Sequence, residues 1–112
     1  MMQSSMFSML ALGALALGGC SMTVPFYGQA EDGSETFTGT STGHADGSGT
    51  VQITSNKGRV CTGKFVYVTA RTGSGTFTCQ DGTSGTANFV SAGMHGTGAG
   101  QLGNRRFTFT FG

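Results

Sequence analysis

Charged side chains are scarce in this chain of 112 residues, which carries six Lys or Arg, five Asp or Glu and a formal net charge of +1. That scarcity excludes a polybasic nucleic-acid surface, an acidic tail and a disordered chain extended by its own charge. Tryptophan is absent, and proline occurs once, at Pro25. The length allows one small domain and excludes a large multidomain enzyme.

Helix-forming aliphatic residues are missing from most of the chain. From Cys20 to the C-terminus there is one leucine, Leu102, and one isoleucine, Ile53. Val, Phe and Thr alternate instead in short runs broken by glycine, a pattern typical of half-buried strands joined by tight turns. In the run from Phe107 to Phe111, every Phe lies on one face and every Thr on the other.

This alternation predicts an all-β fold, an antiparallel meander of short hairpins with about seven strands. Its form is a glycine-rich repeat sheet, a small sandwich or a small barrel. Turn-forming pairs such as Asp46-Gly47 and Asp81-Gly82 separate the strands. The predicted strands lie near residues 35–40, 48–54, 59–68, 74–80, 85–90, 97–102 and 105–111.

The N-terminal part has a different composition, with no charged side chain before Glu31. Residues 9–19 form an apolar run of eleven, too short to cross a hydrocarbon core about 30 Å thick as a helix. The run has the length of the hydrophobic region of a signal peptide. It ends in Leu17-Gly18-Gly19-Cys20, which resembles the lipobox of bacterial lipoprotein signal peptides.

The resemblance implies cleavage after Gly19 and a mature chain whose Cys20 carries a thioether-linked diacylglycerol and an N-acyl chain. Ser21 is not the Asp that retains such lipoproteins in the inner membrane, so the outer membrane, facing the periplasm, is implied. Residues 1–19 would then be a helical signal peptide, residues 20–34 the lipidated N-terminus and tether, and residues 35–112 the β domain. The alternative is a buried helix over residues 7–19 with an ordinary thiol at Cys20.

Two signatures repeat along the β domain. Gly-x-Gly followed by alternating residues begins at Gly47, Gly73 and Gly96, and a Phe-Thr-Gly type of strand begins at positions 37, 61, 85 and 107. Both keep a period of about 24 residues, so each unit is one hairpin. The units resemble MORN repeats, which implies a structural, membrane-associated or partner-binding module without shared catalytic residues. A glycine-rich sandwich or barrel without repeat ancestry is the alternative.

Cysteine usage predicts one disulfide. If Cys20 is lipidated, Cys61 and Cys79 remain as a pair in a compartment that oxidises thiols. Pairing two strands around a turn near Ala70 puts Cys61 opposite Cys79 on one face, within reach of a bridge. A redox-active pair is disfavoured because no Cys-x-x-Cys at a helix start is present.

The chain offers few candidates for catalysis or metal binding. His44 and His95 are the two imidazoles, and Asp32, Asp46 and Asp81 lie in turns without the spacing of a known metal site, so no metal is predicted. No nucleophile motif occurs. The basic residues are interpreted as a solvated sheet edge, or alternatively as a contact with anionic lipid or peptidoglycan: Lys57, Arg59, Lys64, Arg71, Arg105 and Arg106.

The sequence therefore predicts a small non-catalytic envelope lipoprotein, anchored at Cys20, that serves as a structural or interaction module. Its expected partners are the membrane and an envelope protein or peptidoglycan, with no cofactor and no nucleic acid. A membrane-embedded outer-membrane barrel is an alternative, because the run Phe107 to Phe111 resembles the C-terminal signal of such barrels. A small hydrolase or inhibitor using loops around His95 and Asp81 is a third possibility.

Overall fold

The computed structural model describes residues 20–112, which fold into eight strands. The strands are β1 (Met22–Ala30), β2 (Thr36–Gly43), β3 (Ser48–Ser55), β4 (Val60–Tyr67), β5 (Thr72–Cys79), β6 (Ser84–Ala92), β7 (His95–Leu102) and β8 (Arg105–Phe111). Over residues 20–112 there is no helix with the length and apolar character needed to cross a membrane.

The strands form a closed antiparallel barrel in which each strand pairs with its neighbours in sequence. The meander closes where β1 pairs with β8, in a register that runs from Phe26 opposite Phe111 to Ala30 opposite Phe107. The predicted all-β antiparallel meander is confirmed, and of the three forms left open by the sequence the barrel is the observed one. Within residues 20–112 the closed ladder has no edge strand, so the interpretation of the basic residues as a solvated sheet edge is wrong.

The strand count is eight because residues 22–30, expected to be part of a tether, form β1. Pro25 and the surrounding polar residues concealed an alternation in which Phe26, Gly28 and Ala30 point inward and the residues between them outward. Pro25 lies beyond the last β1 residue that pairs with β8, and its carbonyl oxygen accepts a hydrogen bond from the Gly112 amide at 3.0 Å. A proline at this end of the strand therefore breaks no ladder pairing with β8.

Alternation along the strands fills the barrel with apolar side chains. The core comprises Phe26, Phe37, Val51, Ile53, Cys61, Phe77, Cys79, Ala87, Phe89, Leu102, Phe107 and Phe109. Successive residues point to opposite faces of a strand, so the threonines between these core residues face outward. The half-buried strands predicted from the sequence thus have their buried face inside the barrel and their exposed face outside it.

Tight turns join the strands where the Asp-Gly pairs predicted them. Gly47 and Gly82 adopt φ values of 87° and 90°, which glycine tolerates without steric cost. In each turn the preceding aspartate accepts a hydrogen bond from a backbone amide two residues on: Ser48 N donates to Asp46 at 3.0 Å and Thr83 N to Asp81 at 2.9 Å. These local contacts set the turn and the register of the flanking strands together.

The predicted cysteine pairing is confirmed. Cys61 on β4 lies opposite Cys79 on β5, and their sulfur atoms are bonded at 2.05 Å. The neighbouring pairs Gly63 with Phe77 and Phe65 with Gly75 also match the expected register. The disulfide is buried and ties two neighbouring strands of the barrel wall together.

Candidate functional site

The two ends of the barrel differ. We call the end that carries the β1–β2, β3–β4, β5–β6 and β7–β8 turns the closed end, and the opposite end the open end. The interior is packed more tightly near the closed end than near the open end. The core nearer the closed end leaves a void of about 10 Å³, no larger than a single water site. The core nearer the open end leaves a cavity of about 330 Å³.

A buried carboxylate seals the closed end. The Glu35 side chain is 1% exposed. Arg59 donates two hydrogen bonds to it, from Nε to Oε2 and from Nη2 to Oε1, both at 3.0 Å, and Arg105 donates from Nη1 to Oε1 at 3.1 Å. Arg105 also contacts Ser34, and Arg59 lies 5.8 Å from the Phe37 ring centroid. Two of the residues assigned to an edge are therefore partners of one buried acid.

Electrostatics keep this carboxylate ionised. Burial alone would raise the pKa of Glu35, but hydrogen bonds from Arg59 and Ser55 and the charges of Arg59 and Arg105 hold it below its ordinary value. Hydrogen bonding to Glu35 in turn raises the pKa of Arg59. A paired and saturated charge of this kind is tolerated in a barrel end where an unpaired one would not be.

The open end holds the cavity, whose walls are mainly aromatic. Phe65, Tyr67, Phe89 and Phe111 line it, and the buried Phe109 lies deeper. Its volume lies in the range of about 300–1,000 Å³ typical of small-molecule sites. The cavity is therefore large enough for a small apolar ligand.

Edge-to-face contacts fix the aromatic wall. The Phe89 ring centroid lies 5.6 Å from that of Phe65, 5.1 Å from that of Tyr67 and 5.7 Å from that of Phe111, with interplanar angles of 86°, 85° and 87°. The Tyr67 hydroxyl donates a hydrogen bond to Ser91 Oγ at 3.1 Å. The wall is held from several directions, so the cavity is preformed.

The repeat explains why the cavity exists. In three hairpins an inward Phe faces a glycine of the preceding strand, and these pairs are Gly49 with Phe65, Gly73 with Phe89 and Gly96 with Phe111. The corresponding pair of the β1–β2 hairpin is Val24 with Ser41. A small serine thus stands where the repeat has a large ring, and both residues line the cavity.

Cys20, the predicted lipidation site, is exposed at the mouth of this cavity. It lies two residues before the first residue of β1. Leu17, Gly18 and Gly19, the predicted signal-recognition residues, lie outside the described residues.

The histidine and aspartate candidates are divided between the two ends of the barrel. His44 and His95 lie at the open end, and Asp32 and Asp81 at the closed end, where Asp81 accepts a hydrogen bond from Arg59 Nη1 at 3.4 Å. Asp46 lies in the same turn as His44, and hydrogen bonds from the Ser48 hydroxyl and amide lower its pKa. Among residues 20–112 no three His, Cys, Asp or Glu side chains are grouped to hold a metal ion.

Comparisons with known proteins bear on the fold alone. No family model matches the chain, and no curated protein matches it significantly. Two solved structures are similar. One is a redesigned β-barrel, mFAP1, bound to DFHBI, with 18% identity and a TM-score of 0.64 over 80% of this chain and 90% of that one. The other is a de novo designed fluorescence-activating β-barrel, with 14% identity and a TM-score of 0.62 over 80% of this chain and 88% of that one.

Sequence reasoning missed the cavity, although a signal for it was present. In the repeated strand, the fifth residue is Phe65, Phe89 or Phe111 in three units, and in the first unit it is Ser41. A serine in place of the repeated Phe leaves a cavity only if the hairpins surround one common core. That condition depends on barrel closure, which the alternation of residues does not specify.

Proposed function

We propose that this protein is a non-catalytic envelope lipoprotein whose barrel binds a small apolar molecule through its open end. The observation that carries the proposal is the preformed cavity of about 330 Å³, walled by aromatic side chains. The lipid anchor on Cys20, the outer membrane and the periplasmic side are implied by the lipobox. Cys20 at the cavity mouth is compatible with an anchored barrel whose cavity stays accessible.

The expected ligand is largely apolar and carries at most a few polar atoms. Ser41 and Tyr67 are the polar side chains that alternation turns inward on the cavity wall, and the Tyr67 hydroxyl already donates to Ser91. Lys64 and His44 also border the cavity, but Lys64 occupies an outward position of β4 and His44 lies in the β2–β3 loop, so the inner wall favours a neutral ligand. The similar barrel bound to DFHBI is an example of a small molecule held by this architecture.

Binding is tested with the neutral apolar fluorophore N-phenyl-1-naphthylamine. We expect saturable fluorescence enhancement with wild type and loss of most of it with Ser41→Phe, which places a ring inside the cavity, opposite Val24. Thr40→Phe is the matched control, because Thr40 is the outward-facing neighbour on the same strand. Equal binding by both variants, or none by wild type, would remove the ligand-binding proposal.

The anchor is tested separately by intact mass and membrane partitioning after expression in a bacterial host. Wild type should carry the mass of the acyl chains on a chain beginning at Cys20 and should fractionate with membranes. Cys20→Ala should be unmodified and released. An unmodified Cys20 with residues 1–19 retained would refute the lipoprotein assignment.

A membrane-embedded barrel is the second candidate, and two observations favour the tethered barrel over it. The outward face is rich in exposed threonine, whereas spanning barrels present an apolar band to lipid. The strands have seven to nine residues, and a tilted spanning strand needs about 9–11. Extraction with carbonate or urea distinguishes the candidates, because an embedded barrel would stay in the membrane even as the Cys20→Ala variant.

A further inference from the structure

Most of the exposed large apolar side chains lie at the open end of the barrel, and most of the charged side chains lie at the closed end. The apolar exceptions are Tyr27 on the outer wall of β1 and Val60 near the closed end. Met22, Val68 and Met94 lie on the rim of the open end, exposed by 54%, 71% and 45%. Val66 and Val90 are exposed on the outer wall next to it. We call Met22, Val68 and Met94 the apolar rim.

The charged residues are concentrated at the other end. Eight of the eleven lie in or beside the turns of the closed end: Glu31, Asp32, Glu35, Lys57, Arg59, Asp81, Arg105 and Arg106. Asp46 and Arg71 lie in open-end loops, and Lys64 lies on the outer wall of β4. One end of the molecule is therefore suited to water and the other to an apolar surface.

We propose that the apolar rim docks on the surface of the lipid bilayer, so that the cavity opens toward the lipid. Met22 and Met94 of the apolar rim border the cavity mouth, where a membrane would cover them. Arg71 at this end is compatible with anionic headgroups. In this orientation, a ligand dissolved in the membrane enters the cavity directly from the lipid and does not pass through water.

The position of Cys20 gives a second argument, which rests on the lipidation included in the proposed function. Because β1 begins at Met22, only Ser21 separates Cys20 from the barrel. Acyl chains on Cys20 would therefore hold the open end, and not the charged closed end, against the bilayer. The longer tether expected from the sequence, over residues 20–34, would have left the barrel free to turn.

The chain contains no tryptophan, so a single introduced tryptophan reports its own surroundings. The reporters are Val68→Trp and Met94→Trp on the rim, and Val60→Trp near the closed end is the control. Val60 and Val68 are eight residues apart, about 26 Å along the chain. The full-length gene is expressed in bacteria, and the purified protein is reconstituted into phosphatidylcholine and phosphatidylglycerol vesicles with or without brominated acyl chains, which quench tryptophan.

We expect about a two-fold loss of fluorescence for both rim variants, because apolar groups at a docked surface enter the outer 5–10 Å or so of the bilayer. Val60→Trp should keep its fluorescence. Quenching of all three variants would mean an immersed barrel, and quenching of none would mean a barrel held away from the lipid. Either result overturns the docking. Intact mass of the same preparations tests the anchor, and fluorophore binding by Cys20→Ala in lipid-free buffer tests the cavity, both independently of quenching.

Discussion

Glu35 is the residue whose replacement tests the closed end most directly. Glu35→Gln removes the charge to which Arg59 and Arg105 donate hydrogen bonds. We expect the free energy of unfolding to fall by about 3 kcal/mol, the lower limit for breaking a buried ion pair, because both arginines keep some contact with water. Urea denaturation measures the loss. Glu31→Gln is the control, since its pair with Arg106 is exposed, and it should change little.

The same residue gives a pH dependence of defined sign. Because the pKa of Glu35 is lowered in the folded barrel, the unfolded chain binds more protons near pH 4 and acid favours unfolding. The stabilisation is complete above the ordinary pKa of 4.5 and is lost as pH falls through the lower folded value. In Glu35→Gln the slope of stability against pH should decrease. It should not vanish, because hydrogen bonds from Ser34, Ser48 and Thr83 also lower the pKa values of Asp32, Asp46 and Asp81.

The repeated hairpin is the element that sets the interior, and its glycines make room for rings. A Cβ at Gly49 would overlap the Phe65 ring and the Thr42 carbonyl oxygen. We therefore expect Gly49→Ala to cost about 2 kcal/mol or more, as overpacking does. At Gly43 the nearest atom to a new Cβ is Phe65 Cζ at 3.9 Å, so Gly43→Ala is the matched control. Similar denaturation midpoints for the two variants would contradict this account of the repeat.

The N-terminal strand is the element for which the sequence prediction was wrong, and its place in the barrel can be tested. Phe26 is buried, with its ring centroid 5.0 Å from that of Phe109. Phe26→Ala should cost about 3–5 kcal/mol, as large-to-small changes in a core do. Tyr27→Ala, on the exposed face of the same strand, should cost much less. A tether would show no difference between the two variants in thermal or urea unfolding.

An element is predictable from the sequence when the residues that determine it are close together in the chain. Seven strands and the opposition of Cys61 and Cys79 were predictable, because alternation and turn residues act over a few positions. Strand β1 was not predictable. Its alternation is interrupted by Pro25 and nearby polar residues, and the strand is completed by pairing with β8, at the far end of the chain. Of the candidate site, the cavity was not predicted, and lipidation of Cys20 at its mouth stays a prediction. The gap at Ser41 becomes a cavity only after closure.

At the scale of the whole molecule, closure gives the two ends separate roles. The closed end has a filled interior and an ionised carboxylate paired with two arginines, whereas the open end leaves apolar space unfilled. The proposed ligand would occupy that space in the folded barrel and have no site in the unfolded chain. Binding and global stability should therefore be linked.

This linkage gives a prediction for the whole barrel. N-phenyl-1-naphthylamine at about 100 times its dissociation constant should stabilise wild type by about 2.7 kcal/mol, which is measured as a raised Tm in thermal unfolding. Ser41→Phe should show little shift, because its ring occupies part of the site. Thr40→Phe should shift as wild type does. If Ser41→Phe gained as much Tm from the fluorophore as wild type, the ligand would be bound elsewhere than in the space left by the missing ring of the β1–β2 hairpin.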